Sequence, residues 1–424
     1  MDPSVLLDPV QILEGPGQSV RTGAVLIDHG LIRGFDEDAR RFAQKHQLNP
    51  TQAGHQLLAP CLVDPHSVLE QASGGREETL SSLQQCAASG GYGQIALLPR
   101  SSTWRDRPER LQGFAQQNDG VRIHLWGGFS LNGGGNDLAP HADLLEAGAI
   151  GLADDDAVIS IPLLEQGLLL GEMSGAPILV APRDPSLQGD GLVREGVETL
   201  RAGWNPDPTS SEVLPLSALL TLHERHPQRQ LRLMNLSTAA GVQHLQRMDQ
   251  PPRSSVSWWH LLQSRADLHS TDPGWRVRPS LGGPDDRAAL KTALRSGLIT
   301  AVAVHAVPLD AEDMLLPTDQ RPAGLSGHFV ALSCLWDALV RQEGWSIEEL
   351  WQALSFGGSL LLDQPSEHLS VNSHRWLLFD PEETWTVGQS DPAAPMARNL
   401  PFLGESMHGR VIATGLEQQI PFSR

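Results

Sequence analysis

Short apolar runs and longer amphipathic segments alternate through most of the chain. Between residues 58 and 370 the apolar runs include LLAPCLVD, YGQIALLP, PILVAP, SSVSWWHLL and LITAVAVHAV, with helix-like segments such as REETLSSLQQCAASGG and DDRAALKTALRSG between them. Short strands joined by helices of about 10 to 15 residues are typical of βα units around a parallel sheet. Roughly eight such repeats over about 310 residues favour a closed (β/α)8 barrel over an open doubly wound sheet.

The two ends of the chain have a different pattern, with short strand-like pieces and turn residues. Near the N-terminus, AVLIDHGLIRGF contains apolar positions interrupted by DHG, which predicts a β-hairpin. Near the C-terminus, HRWLLFDPEETWTV and MHGRVIATG have the same strand-like character. We therefore predict an α/β protein in which residues 58–370 form the barrel, while residues 1–57 and 371–424 pair into one small β domain.

Composition narrows the possible partners and the compartment. The formal charge is −19, from 31 basic and 50 acidic residues, and no basic run offers a footprint for nucleic acid. The 3 cysteines form no CxxC pair, which argues against a disulfide framework or a zinc knuckle and fits a reducing compartment. No apolar run reaches the roughly 18 residues of a membrane span, so we expect a cytoplasmic protein without membrane contact.

A candidate site begins at LVDPH, residues 62–66, where an apolar strand ends in Asp64 and His66. In βα barrels the chemistry lies at the carboxyl ends of the strands. Metal-assisted hydrolysis of an amide needs an activated water, a base and a partner for the developing oxyanion. LVDPH is therefore where ligands of a metal site are expected first.

These residues resemble the DxHxH opening of the amidohydrolase superfamily. The longer stretch APCLVDPHSVLEQASGGREETLSSLQQCAASGGYGQIALLPR is similar to the corresponding stretch of dihydroorotases, the cyclic amidohydrolases of pyrimidine synthesis. EAGAIGLADDD, LMNLST, RVRPSLGGPDDRAAL, ITAVAVHAVPLDAED, RPAGLSGHF and NLPFLGESMHGRVIATG follow in the family's order. The resemblance implies an amidohydrolase-type barrel with a flanking β domain built from both chain ends.

The resemblance also places the family's metal ligands on this chain. The first metal histidine falls on His66 and the bridging carboxylate on Asp154, whereas the four other ligand positions fall on Val68, Ala181, Asn235 and Val304. Val304 is also the family's general-base position, so no catalytic residue is expected there. Because catalytic zinc typically needs three protein ligands, we expect no cofactor, and we expect His66 and Asp154 to be vestigial ligands. A simpler interpretation of His66 is a hydrogen-bonded residue under the barrel rim.

The residues at the family's substrate-binding positions also differ from those that bind the substrate in the family. The arginine that meets the substrate carboxylate in the family is replaced by Glu70, which would repel an acid. The asparagine of the family's MPN motif falls on Arg100, and Trp258 and Trp259 replace polar residues of the pocket wall. His305 keeps a substrate-binding position of the family.

Two hypotheses of different classes follow from the resemblance. The first is a catalytically inactive dihydroorotase homologue that acts as a non-catalytic partner of aspartate carbamoyltransferase, as inactive dihydroorotase-like chains do, and that forms homo-oligomers. The second is an active dihydroorotase that interconverts N-carbamoyl-aspartate and dihydroorotate at a reduced site, with zinc held by three of the residues His66, Asp154, His260 and His305.

Overall fold

The computed structural model describes residues 4–112, 114, 120–155 and 157–416, and strands alternate with helices through the middle of the chain. In these ranges the strands are β1 Val5–Ile12, β2 Arg21–Asp28, β3 Leu31–Phe35, β4 Pro50–Pro60, β5 Leu62–Ser67, β6 Tyr92–Leu97, β7 Arg122–Gly128, β8 Gly151–Ala153, β9 Pro177–Val180, β10 Val193–Arg194, β11 Pro206–Asp207, β12 Gln230–Leu233, β13 Ser255–Ser257, β14 Ala301–Ala303, β15 Trp376–Thr386 and β16 Ser406–Thr414.

The α-helices of the described residues are α1 Asp36–His46, α2 Leu80–Ser89, α3 His141–Glu146, α4 Ile161–Leu170, α5 Pro185–Gln188, α6 Val197–Arg201, α7 Ser210–Arg225, α8 Ala239–Gln246, α9 Trp258–Leu262, α10 Pro284–Arg295, α11 Ala311–Leu315, α12 Ala331–Leu335, α13 Ile347–Trp351 and α14 Gly357–Leu362. Short 3-10 segments occur at Pro108–Leu111 and Leu131–Gly133, and π-helical segments at Trp336–Gln342 and Gln352–Phe356.

Eight parallel strands form the barrel. Six of them pair side by side in the order β12-β9-β8-β7-β6-β5, and β13 pairs with β14. The two groups meet where the backbone of Leu233 bridges Ser254 and where Leu236 N donates to Ser255 O at 2.9 Å. On the other side, Val68 N, just after β5, donates to Ala306 O at 2.8 Å. The predicted (β/α)8 fold class is thereby confirmed.

A six-stranded sheet lies beside the barrel and combines strands from both ends of the chain. Its order is β16-β15-β4-β1-β2-β3, with β15 antiparallel to both β4 and β16. Leu377 and Phe379 of β15 belong to the same buried cluster as Cys86 of α2, so the sheet and the barrel share a core. The flanking β domain is as predicted in kind, although residues 1–3 and 417–424 of the predicted segments lie outside the described residues.

The sequence patterns missed two helices. In the N-terminal segment, predicted as hairpins, α1 packs Ala39 and Ala43 against Ala24 and Leu26 of β2. In SSVSWWHLL, predicted as a strand, the strand ends at Ser257, whose side chain accepts a hydrogen bond from Trp259 N at 3.4 Å and caps α9. A serine N-cap satisfies an otherwise unpaired backbone N–H, which favours helix initiation at this point.

The interior of the barrel is a packed apolar core. Trp126 of β7 is fully buried, and its indole Nε1 donates to Pro65 O at 3.0 Å. The side chains that surround it in one buried cluster are Val63, Val68, Ala96, Leu98, Ala153, Leu179, Ala181, Met234, Ala301, Val307, Leu361 and Leu362. No helix within the described ranges is long and apolar enough to cross a bilayer.

Candidate functional site at the barrel mouth

His66 and His305 contact each other at the carboxyl ends of β5 and β14. The two Nδ1 atoms are 3.0 Å apart, and His66 Nε2 lies 2.8 Å from Ser255 Oγ. Ser255 Oγ also accepts a hydrogen bond from Asn235 N at 2.9 Å. Both ring nitrogens of His66 therefore have protein partners, which agrees with a hydrogen-bonded residue under the rim.

The contact between the two Nδ1 atoms requires one of them to carry the proton and the other to accept it. His66 is fully buried, and burial together with the neighbouring His305 holds the pKa of His66 well below its usual range. His66 is thus a neutral imidazole at physiological pH. Its two contacts use both of the nitrogen atoms with which it could bind a metal.

Asp154, the other predicted vestigial ligand, bonds to the neighbouring strand end instead. Its Oδ1 accepts from Phe129 N at 3.0 Å and Ser130 N at 2.9 Å, and its Oδ2 accepts from Ser130 Oγ at 2.6 Å. Burial raises the pKa of Asp154 to about 7, and the three hydrogen bonds oppose this shift. Within the described residues the carboxylate has no contact with His66, so its role as a former ligand stays a prediction.

The remaining ligand positions do not fit a metal. Val68 and Ala181 lie in the apolar cluster around Trp126. Val304 is also buried, and its backbone N donates to Asp64 Oδ1 at 2.9 Å. Among the described residues no group of three or more His, Cys, Asp or Glu side chains is placed to hold a metal ion.

Asn235 occupies the fourth position and differs from the other three. Its side chain is buried, and neither the amide nitrogen nor the amide oxygen has a hydrogen-bond partner in the described part of the chain. Its backbone has a positive φ of 50°, a conformation that asparagine tolerates better than most residues. One amide with a single donor-capable oxygen does not make a metal site, but it marks a buried polar space next to Ser255.

The substrate positions at the mouth are joined by an ion pair. Arg100 Nε and Nη2 donate to Glu70 Oε1 at 2.9 Å and 2.7 Å, and Arg100 Nη1 lies 3.5 Å from Asp155 Oδ2. The Glu70 and Arg100 replacements predicted from the sequence are therefore partners of each other. An arginine remains at the mouth, but it comes from the end of β6 rather than from the end of β5.

Tryptophan fills most of the space below this ion pair. Trp258, Trp259, Val304 and His305 line a cavity of about 20 Å³. A cavity of roughly 10–15 Å³ is needed for one water molecule, so the space left at the mouth accommodates little more than one. His260 is also buried, and its Nε2 lies 3.4 Å from Ser280 O. Desolvation lowers the pKa of His260 to about 4.

Several other residues shape the mouth, and apart from Asp64 none of them carried a distinct signal in the sequence. Asp64 Oδ2 accepts from Ser67 Oγ at 2.5 Å and lies 2.8 Å from His328 Nε2, while Ser67 Oγ accepts from Ala306 N at 2.8 Å. Ser255 and Trp126 were likewise not recognised, because a single serine or tryptophan in an apolar run has the pattern of an ordinary core residue. The pattern SVS, which places Ser255 on an inward-facing position of a short strand, is the one available clue to its role.

The known proteins to which this chain is similar include dihydroorotases and a dihydroorotase-like protein. A probable dihydroorotase-like protein of Synechocystis is 30% identical over 442 residues, which cover 96% of this chain and 97% of the relative. The dihydroorotase of a Thermoanaerobacter species is 25% identical, covering 97% of this chain and 96% of the relative. No family model matches the sequence.

Solved structures show the same fold. The L-hydantoinase (dihydropyrimidinase) of Arthrobacter aurescens superposes with a TM-score of 0.78 at 18% identity and covers 98% of this chain and 94% of its own. A D-hydantoinase from a Thermus species superposes with a TM-score of 0.74 at 15% identity, covering 98% of this chain and 94% of its own. With the full-length relatives, these likenesses establish that the chain belongs to the dihydroorotase-like family and has the amidohydrolase-type fold.

Proposed function

We propose that this chain is a catalytically inactive dihydroorotase-like protein of pyrimidine biosynthesis and that it acts as a non-catalytic partner of aspartate carbamoyltransferase. The observation that carries the first part is the apolar core around Trp126, which includes Val68 and Ala181 at two family ligand positions. An activated water cannot be generated where the side chains lack donor atoms for a metal. The direct contact between His66 and His305 supports the same conclusion.

The partner is inferred from the family, and a cytoplasmic compartment is inferred from the cysteines. The family contains inactive members that assemble with aspartate carbamoyltransferase, and a fold kept without its chemistry is consistent with a scaffold role. Cys61, Cys86 and Cys334 are all free and buried, as expected for a protein of the reducing cytoplasm.

The competing function is an active cyclic amidohydrolase with a zinc ion at a reduced site. It would require at least three of the residues His66, Asp154, His260 and His305 to turn towards one point. All four are buried and engaged with protein atoms: His66 and His305 with each other, His66 also with Ser255, Asp154 with Ser130 and His260 with Ser280. Each would have to give up these contacts before it could bind metal.

The first experiment measures zinc content and turnover together. We expect the purified protein to contain no stoichiometric zinc and to convert neither dihydroorotate nor N-carbamoyl-aspartate, with the Thermoanaerobacter dihydroorotase assayed in parallel as the positive control. Stoichiometric zinc and turnover that disappear in His66→Ala, but persist in His55→Ala at a half-exposed histidine of the flanking sheet, would refute the inactive assignment.

The second experiment addresses the partner. The chain and the aspartate carbamoyltransferase of the same cell are mixed at micromolar concentration and separated by size-exclusion chromatography with light scattering. We expect one co-eluting species whose mass equals a sum of both subunits. Two monodisperse species that retain their separate masses would remove the partner from the proposal, without affecting the assignment as an inactive family member.

A further inference from the structure

A second cavity lies beside the barrel mouth, outside the barrel axis. Its volume is about 380 Å³, within the roughly 300–1,000 Å³ range of small-molecule sites. Residues that follow β9 form one wall, and the segment between α9 and α10 forms another. Val277, Arg278 and Ala323 line both this cavity and the small space at the mouth. We call it the arginine cavity, because Arg183, Arg276 and Arg278 line it.

Arg183 gives one wall of the arginine cavity a fixed cation. The side chain is buried, and its Nη1 donates to Gln188 Oε1 at 2.6 Å. The Gln188 amide is in turn held, since its Nε2 donates to Gly191 O at 3.0 Å and to Ser280 Oγ at 3.3 Å. The guanidinium is therefore positioned by a chain of hydrogen bonds before any ligand arrives.

Arg276 is the second cation, and its contacts are of an unusual kind. Its Nη1 donates to three backbone carbonyls, those of Thr318 at 3.2 Å, Asp319 at 2.7 Å and Arg321 at 2.6 Å. Among the described residues, no hydrogen bond uses its Nε or Nη2, and no carboxylate lies within 4.0 Å of it. The side chain is half-buried, so the arginine is partly desolvated without an acidic partner there.

The charges around Arg276 also favour the binding of an anion. Burial lowers the pKa of Arg276, and the nearby positive charge of Arg278 lowers it further, whereas Asp319 acts in the opposite direction. Among the described residues, the carboxylates of Asp190 and Asp319 also line the cavity. The repulsion between the guanidinium groups of Arg276 and Arg278 is one that a bound anion would relieve.

We propose that the arginine cavity binds a small oxyanion, a carboxylate or phosphate group, held by Arg276 and Arg278 with Arg183 at its wall. The planar guanidinium fork matches both oxyanions in a bidentate geometry. The site lies outside the positions that correspond to the family's metal centre, and it does not require that hydrolysis be lost. Its occupation would also reach the mouth, because Arg278 lines both spaces.

The test uses isothermal titration calorimetry on the full chain at constant ionic strength. Succinate and inorganic phosphate are the two anionic probes, and succinamide is the neutral control for succinate. We expect saturable binding of at least one anion and none of succinamide. Removal of one charged donor in Arg276→Gln should weaken binding about 10-fold or more, and Arg278→Gln should weaken it as well. Arg41→Gln, which removes an exposed charge from α1, should leave it unchanged.

The two probes separate the two kinds of oxyanion, and binding of either one supports the proposal. Because Arg276→Gln also removes three hydrogen bonds to the backbone, it can disturb the fold, and the exposed Arg278 then decides the outcome. Absence of saturable binding for both probes would overturn the proposal. Equal binding by the wild type and both cavity variants would also overturn it, because binding that does not depend on these arginines would be a general salt effect.

Discussion

At the position of the family's second metal histidine, Val68 packs inside the barrel against the cluster of Trp126. The sequence predicts the loss of this ligand, because a motif with fixed spacing shows which residue is missing. It does not predict what replaces the metal. That Trp126 fills the interior, and that His66 turns to His305 and Ser255, depends on contacts between strands far apart in the chain.

Restoration of one ligand tests this packing. We expect Val68→His to lower the free energy of unfolding by about 1–3 kcal/mol, because the imidazole would be buried among apolar side chains without a hydrogen-bond partner. Urea denaturation followed by tryptophan fluorescence measures the change. Val371→His, at a half-exposed valine, is the matched control and should have little effect. Unchanged stability together with gain of bound zinc in Val68→His would show that the space is still a metal site.

At the junction between β5 and β14, side-chain hydrogen bonds replace part of the backbone ladder. Asp64 Oδ1 accepts from Val304 N, and Ser67 Oγ accepts from Ala306 N, so two residues of β5 satisfy two donors of the segment that follows β14. Alternating apolar and amphipathic segments were sufficient to predict the alternation of strands and helices in the barrel, although α9 was missed. They could not predict this junction, because a β-strand with an irregular register carries no periodic signal of its own.

We expect the hydroxyl of Ser67 to stabilise the junction between these two segments. Ser67→Ala should lower the free energy of unfolding by about 1–3 kcal/mol, since Ala306 N–H would then be buried without an acceptor. Ser217→Ala in α7, where the hydroxyl donates to Val213 O within the helix, is a control with the same change of side chain. It should be nearly neutral, because alanine favours the helix. Equal loss of stability in the two variants would mean that the Ser67 hydroxyl does not hold the strands together.

For the whole molecule, buried groups with shifted pKa values couple folding to pH. Burial lowers the pKa of His124 and of His260 to about 4, and it holds the pKa of His66 well below the ordinary value of 6.5. Between about pH 4 and 6.5 the unfolded chain therefore binds more protons at these histidines than the folded chain does. Asp154 acts in the opposite sense, because burial raises its pKa in the folded chain to about 7, above the ordinary value of 3.8.

Burial also lowers the pKa of His141 and raises that of Glu78. With four histidines against two carboxyl groups, the balance favours the histidines. The free energy of unfolding should rise from pH 4.5 to 6.5, by about 1.4 kcal/mol per pH unit for each net proton. The same stability should be lost when the pH is lowered towards 4. Urea denaturation at several pH values measures the slope. His124→Gln should reduce the slope by about one proton, because it removes one titrating group. The packing should be retained, because glutamine can still donate to Gln94 Oε1 as His124 Nε2 does at 2.7 Å. His29→Gln, at an exposed histidine, is the control for removal of a histidine. A slope that His124→Gln leaves unchanged would show that this buried imidazole does not couple folding to protonation.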